Sequence, residues 1–159
     1  MRRELLIALA ALVTGCAAPV HTLRFHEEVP ANLPASRVRR VTIPTTGQQI
    51  CINPYPTIDE KDVHQARLEF TNAGEAVVLQ FDAHGTVGLA EMMTRLRGQY
   101  FVVLVDEKPV VGILVDRVIK DGRFHLLGNL TDAEALALVE SLNKAAGRGP
   151  VFDAPQSAP

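Results

Sequence analysis

Two rhythms of apolar residues run through the middle of this chain, one with the period of a strand and one with that of a helix. Val38 to Pro44 and Gln49 to Asn53 alternate moderately and are joined by Thr45-Thr46-Gly47, which predicts a hairpin. Thr57-Ile58-Asp59-Glu60 has the spacing of a capping box and predicts a short helix of about two turns reaching Ala66. Arg67 to Thr71 and Glu75 to Asp82 flank Asn72-Ala73-Gly74 as a second hairpin, with Val77, Leu79 and Phe81 on one face.

A helix over residues 83–97 follows, its stripe formed by Leu89, Met92, Met93 and Leu96. Asp82 stands where a carboxylate can cap its first turn, and Gly98 ends it. Gly85 and Gly88 each cost a helix about 1 kcal/mol relative to alanine, so close packing of its first turns against the sheet is expected. Tyr100 to Val105 is apolar on both faces and short, the pattern of a central strand covered on each side. The chain turns at Asp106-Glu107-Lys108, and Val110 to Asp116 returns beside it, with Pro109 restricted to a strand start or edge. Phe124 to Leu127 is a further strand. Thr131 and Glu134 form a second capping box for a helix with the stripe Ala135, Leu138, Val139, Leu142 and Ala146. The order predicts an α+β fold: a mainly antiparallel sheet with two main helices packed on it.

The ends of the chain read differently. Arg2 and Arg3 precede an unbroken apolar run from Leu5 to Val13, which leads through Thr14-Gly15 to Cys16. This is the layout of a secretory signal peptide, and the run is too short for a permanent span, which needs about 20 residues. Small residues running into a cysteine resemble a bacterial lipobox, in which the cysteine is acylated, with palmitate among the usual acyl chains, and becomes the mature N-terminus. The expected organisation is therefore a lipoprotein signal peptide over 1–15, a lipidated N-terminus and flexible tether over 16–37, a folded domain over 38–146 and a disordered tail over 147–159. Cys16 is the lipidation site, which places the protein in the cell envelope, facing the periplasm or exterior. Ala17 rather than aspartate after the cysteine implies the outer membrane in a Gram-negative host, by resemblance to lipoprotein sorting.

Charge and side-chain inventory narrow the chemistry. Removing residues 1–15 takes Arg2, Arg3 and Glu4 from 16 basic and 18 acidic residues, which moves the net charge from −2 to −3. A mildly acidic protein has no footprint for nucleic acid. Cys51 is the only other cysteine, so no internal disulfide forms, and its alternating surroundings make it a buried apolar residue. His21, His26, His64, His84 and His125 lack paired metal-ligand spacing, and neither a metal nor a cofactor is expected. His84 beside Asp82, with Asp106 and Asp116 at strand ends, is the best catalytic constellation available, yet each has a simpler role as a cap, a turn residue or a first-turn side chain. No phosphate loop, nucleophile elbow or His-Glu-x-x-His is present, and the chain is read as a non-enzyme without a small-molecule substrate.

Three segments resemble the head subdomain of the first periplasmic region of SecD, the auxiliary subunit of the Sec export machinery. Val77-Val-Leu-Gln-Phe81-Asp82-Ala-His-Gly85, with Leu89 four residues on, looks like that family's strand ending in Phe-Asp before a helix. Residues 98–111 are similar to its central strand and Asp-containing turn. Gly128-Asn129-Leu130-Thr131, followed by Glu134-Ala135 and Leu138, matches its closing Gly-x-Phe-Thr-x-x-Glu-Ala-x-x-Leu signature. The likeness covers about residues 38–142. Val111-Gly112-Ile113 departs from the family's usual Ser-Ala-Pro. SecD's base subdomain and transmembrane helices have no counterpart in these residues, so energy coupling is not carried over. The resemblance implies a lipid-anchored, head-like module that binds polypeptide or an envelope protein, with a link to export. A structural or regulatory component of an envelope assembly with no export role is the alternative.

Overall fold

In the computed structural model of the chain, residues 21–71 and 74–148 are described. Among the described residues nine strands and two α-helices occur in the order β1 (Leu23–Glu27), β2 (Arg39–Thr42), β3 (Gln49–Ile52), β4 (Ile58–Asp59), β5 (Val63–Thr71), β6 (Gly74–Phe81), α1 (Ala83–Arg95), β7 (Tyr100–Val105), β8 (Lys108–Leu114), β9 (Arg123–Leu126) and α2 (Asp132–Ala145). A four-stranded sheet has the order β4-β1-β7-β8, a three-stranded sheet the order β5-β6-β9, and β2 pairs with β3 alone. Every pairing is antiparallel. The fold is α+β, as the alternation of periods implied. No helix among the described residues is long and apolar enough to cross a membrane.

β7 shows why its sequence is apolar throughout. Phe101, Val103 and Val105 join the main core with α1, α2 and the three-stranded sheet, while Val102 and Leu104 join a second core under the β2–β3 hairpin. Gly112 on β8 is what lets that hairpin settle. A Cβ there would lie 2.7 Å from Ile43, which is fully buried. Pro109 sits on the edge strand β8, at a bulge against Leu104 of β7, where a missing N–H costs no ladder bond.

Both helix starts are capped as expected. The Asp82 carboxylate accepts from Gly85 N at 2.8 Å, and Thr131 and Glu134 form a reciprocal box. Gly85 packs closely, since a Cβ would meet Asp62 at 2.8 Å and Phe81 at 3.1 Å, whereas Gly88 leaves ordinary room. α1 stops at Arg95, and Gly98 takes φ +79°. On α2 the apolar stripe ends at Leu142; Ala146 is exposed, and Asn143 is fully buried instead. Its amide accepts from Ala66 N and donates to Ala66 O, each at 2.8 Å, tying the helix to the edge strand β5.

Three expectations need correction. Part of the segment expected as a tether, 16–37, belongs to the fold: Leu23–Glu27 is strand β1, hydrogen-bonded between β4 and β7, and Ala35–Arg37 is a 3-10 turn. Its Leu23 and Phe25 alternate with Arg24, a strand pattern too short to stand out beside three prolines. The two-turn helix expected over 57–66 is instead strand β4 and one 3-10 turn, Glu60–Asp62, capped by Asp59 rather than Thr57. Val63 and Ala66, buried against the core, continue as β5. Of the tail expected over 147–159, Gly147 and Arg148 are described and bonded back to α2 through Lys144 O and Asn143 O. The segment expected as a signal peptide, 1–15, Cys16, residues 72 and 73, and 149–159 lie outside the described residues.

Phe25 sits at the centre of the core, with Phe81, Phe101 and Phe124 at ring-centroid distances of 5.6, 5.9 and 5.2 Å. Phe25→Ala should destabilise the domain by about 3–5 kcal/mol in urea unfolding. A fragment starting at residue 21 should unfold cooperatively, while one starting at 38 should bind a hydrophobic dye and lack sharp unfolding. Equal cooperativity of the two fragments would contradict the role given to β1.

Candidate functional site

Beyond Glu27 the chain leaves the four-stranded sheet and crosses to the hairpin. Glu28 bridges to Ile52, Val29 N donates to Cys51 O at 2.9 Å, and Asn53 N donates to Glu27 O at 2.8 Å. Tyr100 N donates to the Glu28 carboxylate at 2.6 Å, which holds this crossing to the start of β7. Between residues 28–31 and β3 an open cleft of about 400 Å³ remains, with Gln99 at its end. Val29, Ile50 and Cys51 supply apolar lining, Gln48, Gln49 and Gln99 supply amides, and Glu28 and Arg40 supply one charge of each sign. Such a lining suits an extended polypeptide: amides of both polarities can meet a backbone, and the apolar patch can take a side chain.

At the opposite end of the sheet the β7–β8 turn gathers charge. Asp106 and Glu107 both have positive φ, +48° and +65°, in a two-residue turn that suits a twisted hairpin. Burial opposes ionisation of Asp106, but hydrogen bonds from His21 and Thr22 N outweigh it and hold its carboxyl below the usual range. The hydrogen bond from Arg39 holds Glu107 low, with Arg24 adding to it at 2.5 Å. A second cleft of about 350 Å³ adjoins this turn, between Lys108 and the Thr131–Glu134 cap.

His26 lies between the sheet and the hairpin. Its ring is 1 % exposed, and Nδ1 donates to Asn53 O at 2.8 Å. Nε2 has no partner, so the neutral tautomer is the one that fits. Burial depresses its pKa, and Arg39 and Arg24 push the same way.

The residues weighed for catalysis separate. His84 faces Asp62 at 2.7 Å, and with Asp82 these place ligand-type atoms within 4.8 Å of one another. Both carboxylates are already engaged as caps: Asp82 holds Gly85 N, and Asp62 accepts from Asp59 N at 3.0 Å. The hydrogen bond to Asp62 raises the pKa of the exposed His84. Asp106 is on the far turn with His21, and Asp116 follows β8 as an exposed residue. Cys51 is buried, as its apolar neighbours implied, and lines the cleft. Cys16 lies outside the described residues. The cleft itself was invisible to sequence reasoning, because it arises where residues 28–31 meet β3; the one available signal was the Glu28-Val29-Pro30 exit from a strand.

A family model described as SecDF, P1 head subdomain, matches residues 36–146. A solved structure of SecDF in a super-membrane-facing form has a TM-score of 0.61 at 17 % identity, covering 84 % of this chain and 20 % of that one. A second, described as a membrane component SecDF that enhances protein export, has a TM-score of 0.60 at 17 % identity, covering 84 % of this chain and 66 % of its own. The chain thus spans less than two thirds of either relative, and at this identity the likeness is one of fold. Among curated proteins, none matches.

Two outcomes follow from these side chains. Asp82→Ala should destabilise the domain by about 0.5–2 kcal/mol in thermal unfolding. On acidification, His26 takes up its proton in the unfolded chain before the folded one. Its contribution is therefore present above roughly pH 6.5 and lost as pH falls below that. His84, with its raised pKa, works in the opposite sense. Between roughly pH 7 and pH 5 the natural chain should therefore lose more of its urea midpoint, or gain less, than His26→Leu does.

Proposed function

Since this chain belongs to the SecDF P1 head subdomain family, we propose that it is a non-catalytic envelope lipoprotein that binds polypeptide in connection with protein export. Acylation of Cys16 holds it on the membrane, with the head-like domain facing the periplasm or exterior. In a Gram-negative host Ala17 directs it to the outer membrane. The observation that carries the reading is the cleft between residues 28–31 and β3, whose amide rim and apolar floor suit an extended chain better than a compact ligand.

Its test is crosslinking in intact cells. A photoreactive residue at Gln49 should give adducts with secreted polypeptides that rise when export is slowed, while one at exposed Thr94 on α1 should not. Adducts from Gln49 with a single resident envelope protein, unchanged by export, would replace polypeptide binding with a role inside an assembly. Labelling with a fatty-acid analogue should mark the natural chain and not Cys16→Ser; equal labelling of both would remove the anchor.

A further inference from the structure

His21, the first described residue, is fastened on both sides of its backbone. His21 N donates to Ser141 Oγ on α2 at 2.9 Å, and its ring meets the Asp106 carboxylate at 2.7 Å. Thr22 N donates to Asp106 Oδ1 at 2.9 Å, and Asp106 N returns a bond to Thr22 O at 3.1 Å. The described residues thus start at the β7–β8 turn, where the chain from Cys16 arrives. Only residues 17–20 separate this point from Cys16. Five residue steps span at most about 18 Å when fully extended, less than half the reach implied by a tether running to residue 37.

The domain has two distinct ends along β7. Tyr100 lies beside Glu28 and the 28–31 cleft; Val105 lies beside Leu23 and the turn that holds His21. The five intervals between them make about 17 Å. A leash this short fixes which end is near the lipid. We infer that the end of the domain bearing the β7–β8 turn and the last turns of α2 is held against the membrane surface, with the 28–31 cleft at the distal end. The surface of this end is suited to lipid headgroups rather than to acyl chains. Arg24 and Arg39 bracket Glu107, and Lys108 and Lys144 are exposed, so the described residues of this end carry charges of both signs. This rests on the acylation of Cys16 proposed above.

The experiment uses the full lipidated chain in phosphatidylethanolamine vesicles carrying a headgroup nitroxide, with fluorophores on single cysteines in a Cys51→Ala background. Mass spectrometry of the N-terminal peptide comes first: an unmodified Cys16 overturns the anchor and this inference with it. With Cys16 acylated, labels at Lys108→Cys and Lys144→Cys should lose most of their fluorescence, while a label at Ala31→Cys keeps it. A flexible insert of about 40 residues after Val20 should restore fluorescence at 108 and 144 without releasing the protein, because its typical span is about 35 Å. Equal quenching at all three sites overturns the inference while leaving the lipid anchor intact, and quenching at 108 and 144 that survives the insert overturns the short leash as what holds that end down.

Discussion

Phe25 is the contact on which the other layers depend. It sits in β1 between β4 and β7, so its strand completes the four-stranded sheet, and its ring touches Phe81 and Phe124 from the sheet on the other side of the core. Each aromatic pair is worth about 0.5–1.5 kcal/mol beyond area burial. The geometric role is larger, because the same strand turns His26 toward the hairpin and continues into the wall of the cleft at Glu28. One five-residue strand therefore joins both cores and the proposed binding surface.

That strand was also the least legible part of the chain. β7 could be read from composition, since a short run apolar at six consecutive positions and bounded by Gly98 and the Asp106 turn fits a strand covered on both faces. The caps at Asp82 and Thr131 could be read because a cap is a local interaction with fixed spacing. β1 offers two apolar alternations, Leu23 and Phe25, and places a histidine in the core, so local statistics favour a linker. Thr57 to Ala66 failed for a related reason: a capping signature specifies a first turn, and here tertiary pairing ends the helix after one. The cleft could not be read at all, because its walls come from segments about twenty residues apart in sequence.

The charged turn follows the same division. Glu107 draws Arg24 from β1 and Arg39 from β2 to one turn, while Asp106 secures His21 and Thr22. Both turn residues adopt a backbone conformation that non-glycine residues enter at a cost of roughly 1 kcal/mol. Multiple carboxylate contacts offset this. In sequence Asp106-Glu107-Lys108 looks like a generic polar turn; in the fold it fastens the chain's entry. Gly112 shows the converse, a departure from the SecD pattern that becomes intelligible once Ile43 is seen to occupy the space of its missing side chain.

The Asn143 amide, bonded to both backbone groups of Ala66, has a consequence for how the sheet meets other chains. β5 is an edge strand, and a bare edge offered to extended cargo is a template on which that cargo can stack and seed aggregates. Occupying the ladder positions of Ala66 from α2 closes that template at its middle. A ladder interrupted in this way pairs less readily with any extended chain, a second copy of this one included.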